Sequence, residues 1–396
     1  MKFSHIADCH VGGWREPELK KLSILHFKEA IFQSIKENVG FILIAGDLFN
    51  TSLPDIELIK EVADTLRKAH DLNISVYVIP GSHDYSVSGK TMLDVLEKAG
   101  LLENVMKLKD NNLEFTIDKT NVKITGLYGR RRGLEKQDYL MLNKESLEKE
   151  SGYKIFMFHA LLEELKPRDL ENVEAYSMFL LPKNFNYYAG GHPHFVYAKQ
   201  HEGYGTIAYP GPLFPNNFKE LEELKQGGFF IVDVTNNITK HISIKIKEVS
   251  SLLIDANNQI PSQIEKELID NLKDVEDKII TIRIEGTLSS GKPSDINFRE
   301  ITQKANAYSI LRNTNKLESK EFEAPKIGGT VEEIETKILI ENLKNSNLND
   351  IKFSNELMNL LSREREDGET KIDFESRIIS DVIKILRLDN IWKDVT

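Results

Sequence analysis

The chain has 396 residues, 40% of them apolar and 29% charged, with a formal net charge of −10. That is enough for two or three domains and a sizeable core, and the acidic balance argues against a chain that coats nucleic acid throughout while leaving room for a local basic patch. A single cysteine, Cys9, excludes an internal disulfide framework and a multi-cysteine zinc site. The lack of a signal-like start or a ~20-residue apolar run points to the cytoplasm and away from a membrane.

Up to about Val234 the pattern is strand, turn, helix, repeated. The strand-like runs are KFSHIA, GFILIAG, SVYVIPG, VKITGL, YKIFMFH, YYAGG, TIAYPG and GFFIVDV. Several are apolar without alternation, as expected of strands covered on both faces. Helical stretches lie between them. In LKKLSILHFKEAIFQSIKEN, Ile24, Phe27, Ile31 and Ile35 share one face. This predicts an α/β domain over residues 1–238. In residues 239–323 the texture changes: ISIKIKEV and KIITIRIEG alternate like half-exposed strands, and two helical stretches accompany them. A small α+β second domain is expected there. Residues 324–329 read as a linker by their proline and paired glycines, and 330–396 as an amphipathic helical arm.

Histidines and carboxylates cluster where the strand runs end. Asp8 and His10 follow the first run, Asp47 the second, and His83 and Asp84 the third. His159 ends YKIFMFH, and His192 and His194 follow YYAGG. Five of the ten histidines thus sit just past strands, where α/β proteins place their sites. Each piece alone has an ordinary reading: Gly46-Asp47 as a helix cap, His159 as a core histidine. Jointly, mixed imidazole and carboxylate donors suit Mn, Fe or Zn. A carboxylate can bridge two ions, and two ions can drive an in-line displacement at phosphorus.

This ordered set, D-x-H, GD, G-x-HD, a lone H and GH-x-H, resembles the calcineurin-like metallophosphoesterases. The flanks HIADCHVG, ILIAGDLFN, YVIPGSHDYS, GGHPH, AYPGP and GGFFIVDV resemble the Mre-eleven/SbcD family of double-strand-break repair nucleases. The resemblance implies a metallophosphoesterase β-sandwich flanked by helices, a DNA-binding capping domain and a C-terminal helical arm. It implies a nuclease using two Mn²⁺, with Mg²⁺ or another divalent ion as substitute. The implied activities are 3′–5′ exonuclease and single-strand endonuclease at double-strand break ends, in the nucleoid during repair. Asp8, His10 and His194 would bind one ion, His159 and His192 the other, and Asp47 both. His83 would contact the scissile phosphate, oriented by Asp84. Ser82 stands where the family has an asparagine ligand, so a weaker second metal is expected. Asn50 stands where some relatives carry a histidine near the phosphate. The alternatives are a phosphatase or phosphodiesterase for small substrates, and a DNA-binding scaffold with an impaired site.

For DNA contact the candidates are Arg130, Arg131 and Arg132 in YGRRRG, with Trp14 and Arg15 in the loop after His10. Each has a plainer reading, as a solvated charge cluster or as surface packing. Leu93, Leu96 and Leu101 are candidates for a homodimer contact, or else are buried within the monomer. The arm, 330–396, resembles in position the segment that binds an SMC-like ABC ATPase (the Rad-fifty type) in the same family. Val331, Ile334, Ile338, Phe353, Leu357, Leu360, Leu361, Ile379, Val382, Ile383 and Leu386 form its apolar stripes.

Overall fold

A computed structural model describes residues 1–86, 91–130, 135–171, 173–236, 238–320, 359–360, 363 and 371–385. Residues 1–320 form one compact unit and 321–396 another. The first unit begins with β1 (Lys2–Ile6), α1 (Pro17–Lys36), β2 (Phe41–Ala45), α2 (Ile56–Asp71), β3 (Ser75–Ile79), α3 (Met92–Lys98) and β4 (Glu103–Asn104). A small ribbon, β5 (Leu108–Lys109) and β6 (Asn112–Leu113), leads to β7 (Thr116–Ile117), β8 (Lys123–Gly126), α4 (Lys136–Met141), α5 (Lys144–Lys149) and β9 (Lys154–His159). Then come β10 (Tyr187–Gly191), β11 (Tyr197–Gln200), β12 (Thr206–Tyr209), α6 (Phe218–Leu224), β13 (Gly227–Asp233) and β14 (Ile238–Ile244).

Two six-stranded sheets result, ordered β14-β13-β1-β2-β3-β4 and β11-β12-β10-β9-β8-β7. β1, β2 and β3 run parallel to one another, as do β8, β9, β10 and β12. The sheets face each other across a core of Phe3, Phe41, Leu43, Ile124, Ile155, Met157, Tyr187 and Ala189. Helices α1, α2 and α3 cover the outer face of the first sheet through Phe27, Ile31, Val62, Leu66, Leu93 and Leu96. This is the expected sandwich, and all eight strand runs named from the sequence are strands.

The stretch expected to form the capping domain comprises β15 (Val249–Asp255), α7 (Pro261–Asn271), β16 (Ile279–Leu288), α8 (Phe298–Lys304) and β17 (Ser309–Ser319), within the same compact unit as the sandwich. Its three strands are parallel, with β16 central. The expected boundary at residue 239 falls inside β14, which pairs antiparallel with β13 and closes the edge of the first sheet. The run ISIKIKEV, read as one strand, instead spans the end of β14, a short connection and the start of β15, so its alternation marks no single strand.

Leu93, Leu96 and Leu101 are buried, 1%, 2% and 5% exposed, in the core beneath the helices. Their packing is therefore within the monomer, and a symmetric contact cannot use them. In the second unit α9 (Lys371–Ile385) is a helix. It carries Ile379, 52% exposed, with Val382 and Ile383 half-buried. The linker, and the apolar positions of the arm other than Leu360, Ile379, Val382 and Ile383, lie outside the described residues. Among the described residues no helix is long and apolar enough to cross a membrane.

Candidate metal centre

Parallel strands place their carboxyl ends on one edge, and here the edges of both sheets meet. The loops after β1 and β2 run side by side: the Asp8 amide donates to Gly46 O, the His10 amide to Asp47 O and the Val11 amide to Leu48 O. Asp8, His10 and Asp47 are thereby held next to one another. From the second sheet the His192 amide donates to both Asp8 oxygens, at 3.0 and 3.1 Å, and ties the sheets together at the site. Asp8, His10, Asp47 and His192 all have positive φ, 49°, 42°, 52° and 95°. Such backbone costs of order 1–3 kcal/mol per strained residue and persists where the surroundings over-determine it. Two glycines make the close approach. A Cβ on Gly46, itself at φ 86°, would lie 2.1 Å from His159 Nδ1, and one on Gly81 would lie 2.2 Å from Asp47 Oδ1.

The donor atoms converge. Ligand atoms of Asp8, His10 and His194, of His10, Asp47 and His83, and of Asp8, Asp47 and His159 lie within 4.8 Å of one another in each group. His159 donates its Nδ1 hydrogen to Ala45 O at 2.9 Å. In the neutral ring this leaves the lone pair on Nε2, an atom buried without a hydrogen-bond partner 3.2 Å from Asp47 Oδ2. Two electron-rich atoms facing each other in a buried site call for a cation between them. His10 and His194 meet beside them, their Nε2 atoms at hydrogen-bond distance, 3.2 Å. His192 adds an imidazole whose centroid is 5.3 Å from that of His159. The donor set fits divalent metal ions.

The electrostatics agree. Burial alone would raise the Asp47 carboxyl, but His159, His10 and His83 outweigh it and hold it well below the usual range. Burial would lower His159, yet Asp47 and Asp8 hold it up to about 10, so without an ion a proton takes the cation's place. Burial pushes Asp8 up to about 6, partly offset by His194 and His159. Burial takes His10 down to about 3 and, with His159, His192 down to about 4. Both imidazoles are neutral, as ligands must be.

The remaining expected residues fall as follows. His83 is half-buried, its Nδ1 donating to Asn50 O at 2.8 Å and its amide to Asp47 Oδ1 at 2.7 Å. Asp84 does not orient it. The Asp84 carboxylate accepts the amides of Leu48, Phe49 and Gly81, each at 3.1 Å, and so staples the loops after β2 and β3 together. Orientation of His83 falls instead to the Asn50 carbonyl. Ser82 Oγ lies 3.4 Å from Asp47 Oδ2, at the site but against a carboxylate. Trp14 donates Nε1 to Pro215 O at 2.9 Å and packs on the apolar cluster around Phe214, so its ring is committed to packing. Arg15 is exposed. Arg130 stacks on Tyr128, with its guanidinium carbon 4.5 Å from the ring centroid, and pairs with Asp138 at 3.5 Å. Arg131 and Arg132 lie outside the described residues.

Sequence reasoning missed Glu220, on α6. Its Oε1 accepts from His194 Nδ1 at 2.9 Å, 26 residues away along the chain. The site opens into two adjoining cavities of 350 and 330 Å³ that share Ser82, His83, Leu161, Val173 and His192. Arg130 lines the first.

The sequence profile of the calcineurin-like phosphoesterase family matches residues 1–195. Three archaeal proteins named DNA double-strand break repair protein Mre11 are similar to the chain. That of Archaeoglobus fulgidus is 27% identical over 86% of this chain and 80% of its own length. That of Methanocaldococcus jannaschii is 29% identical over 60% and 63%. That of Saccharolobus solfataricus is 23% identical over 98% of each. The family match ends one residue past His194 and so takes in every converging donor from Asp8 onward; the chain carries a calcineurin-like metallophosphoesterase domain over these residues and is, through it, a metal-dependent phosphoesterase.

Proposed function

We propose that the chain is a DNA nuclease using two divalent ions, Mn²⁺ by preference, at double-strand break ends. The carrying observation is the convergence of the carboxylate and imidazole donors at the strand ends, with His159 Nε2 buried without a hydrogen-bond partner 3.2 Å from Asp47 Oδ2. Asp8, His10 and His194 would hold one ion and His159 and His192 the other, with Asp47 shared between them. Ions held there would supply an acidified water and offset the charge building on phosphate. His83 does the proton work. The Asn50 carbonyl fixes its Nδ1 and leaves Nε2 to the cavities it lines, where the protonated ring donates to the leaving oxygen.

DNA as substrate rests on the relatives' names and on a capping domain packed beside the site, which a small-molecule phosphatase does not need. Arg130, Arg131, Arg132 and Arg15 are the cations we assign to the DNA backbone. The activities are 3′–5′ exonuclease and single-strand endonuclease, in the cytoplasm at the nucleoid. The chain acts as a homodimer, and residues 330–396 carry the contact to an SMC-like ABC ATPase of the Rad-fifty type.

The test is end-labelled duplex DNA with Mn²⁺, with and without chelator, beside a bis-nitrophenyl phosphate control. Metal-dependent shortening of the labelled strand is expected. Hydrolysis of the control with intact DNA would replace the nuclease by a small-substrate phosphodiesterase. A chain ending at Gly329 should cut DNA and lose co-purification with the ATPase; undiminished co-purification would remove the arm from that role.

A further inference from the structure

Helix α6 lies between the metal centre and the capping domain, and successive residues face different neighbours. Glu220 accepts from His194 Nδ1. Leu221 is fully buried in an apolar cluster that joins Leu19, Leu22 and Phe214 of the sandwich to Val249, Ile279 and Leu311 of the capping strands. Glu222 binds Arg283 of β16: the guanidinium Nε is 3.1 Å from both carboxylate oxygens, and a terminal nitrogen is 2.5 Å from Oε2. Arg283 also lies over the Phe218 ring of the same helix, 5.2 Å from its centroid. The guanidinium and the carboxylate are largely sequestered, their side chains 23% and 17% exposed.

The residues just before the helix extend the connection. The Asn216 amide donates to Glu220 Oε2 at 2.7 Å, and the Asn216 side chain donates to Asn50 Oδ1 at 3.4 Å. Asn50 is the residue whose carbonyl orients His83. Asn217 caps the helix on the amide of Glu220. One short segment thus touches a ligand histidine and the residue that aims the proton donor. Its other side is gripped by the central strand of the capping sheet.

We propose that Glu220 is a positioning residue for His194 and that the Glu222–Arg283 pair makes the capping domain set the geometry of the metal centre through α6. The inference rests on the two-metal reading above. Glu220 holds the ring by Nδ1, keeps the lone pair on Nε2 and raises that nitrogen's basicity toward the ion, as carboxylates behind ligand histidines do. Because α6 is rigidly clamped on the capping side, a displacement of β16 moves Glu220 and Asn216 together. Metal affinity and proton delivery therefore respond to what the capping domain binds.

Calorimetry with Mn²⁺ alone on the full chain tests this, together with kcat and KM on bis-nitrophenyl phosphate, a substrate too small to reach the capping strands. Glu220→Ala should weaken one of two Mn²⁺ sites by about 10–100-fold, and Glu220→Gln by less, since the amide oxygen still accepts from Nδ1. Arg283→Ala, remote from the metal, should weaken the same site several-fold and lower kcat with KM unchanged. The exchanged pair Glu222→Arg with Arg283→Glu should restore Mn²⁺ affinity over either single change. The result that overturns the coupling is Mn²⁺ affinity within twofold of wild type in Arg283→Ala. If that variant fails to fold, failure of the exchanged pair to recover affinity over Glu222→Arg alone does the same. Absence of Mn²⁺ binding in the wild-type chain would instead overturn the two-metal reading.

Discussion

The strand ends of the sandwich and the interior of the capping domain follow opposite rules. Within residues 249–320 the buried side chains are apolar apart from Thr281 and Ser319, and Ile254, Ile264, Leu268, Ile280, Ile282 and Ile284 fill the centre. The capping domain's non-glycine residues with positive φ are Asn258 and Asp277, in turns, where such residues adopt that conformation readily. At the sandwich edge Asp8, His10, Asp47, Asp84 and His159 are all at most 3% exposed, and positive φ falls on the candidate ligands Asp8, His10, Asp47 and His192. Local rules are kept where a region only has to fold and broken where it has to hold something. The capping domain is read as a lever and the strand ends as the chemistry.

The sharpest way to break this contrast is Asp47→Asn. Asp47 is the group nearest to His159, His10 and the His83 amide at once, at 3.2, 3.8 and 2.7 Å. Hydrolysis should fall to the level of the chelated protein. Mn²⁺ should also stop stabilising the fold, a gain of about 2.7 kcal/mol at 100 times Kd in the wild type. Thermal melting with and without Mn²⁺ reads this directly, and a persisting Mn²⁺ shift would mean that Asp47 is not the shared ligand.

His83→Gln separates ligation from chemistry. The donor atoms of His10, Asp47 and His83 cluster closely enough for His83 to ligate, whereas its Nδ1 contact to Asn50 suits a proton donor. We expect kcat to drop about 10²–10⁴-fold with Mn²⁺ affinity intact, because the amide that holds Asp47 belongs to the backbone. Loss of a metal by calorimetry would make His83 a ligand.

Acid should act on the sandwich and not on the capping core. His5 lies between the sheets, bonded to Tyr187 at 3.0 Å, and burial lowers its pKa to about 3. Its ordinary value is near 6.5, so the unfolded chain binds a proton that the folded chain refuses. Stability is full above about pH 6.5 and is lost as the pH falls toward 3, at about 1.4 kcal/mol per pH unit for one proton. Urea titrations in chelator at pH 7 and pH 5 should show that loss, and His5→Phe should reduce it by one proton's worth. An unchanged slope would place the acid response elsewhere.

The strand-end cluster of carboxylates and histidines was legible because apolar runs mark buried parallel strands and such strands end at sites. Glu220 was not, because α6 reads as one of many acidic helices and nothing near it in sequence names His194. Asp84 was misassigned for the converse reason: it adjoins His83 in the chain, but its side chain turns to three amides of neighbouring loops. Burial of Leu93, Leu96 and Leu101 follows from α3 lying on the sheet, which periodicity alone does not separate from a helix face shared with another copy.

The smallest expected effect belongs to Ser82→Asn, and it decides how complete the centre is. Ser82 lines both cavities, and its hydroxyl reaches only to 3.4 Å from Asp47 Oδ2. A hydroxyl that donates to a carboxylate competes with an ion for the same oxygen. An asparagine there would extend an amide oxygen, a stronger dipole, into the space beside His159 and His192 while its backbone keeps the loop that Asp84 staples. The second Mn²⁺ should then bind more tightly, by less than about tenfold, a difference of under about 1.4 kcal/mol. An ion at Asp8, His10 and His194 should be unaffected. Two-site calorimetry distinguishes the ions by their separate isotherms. If both affinities and the rate stay as they are, position 82 does not ligate in this protein, and His159, His192 and Asp47 hold the second ion without it.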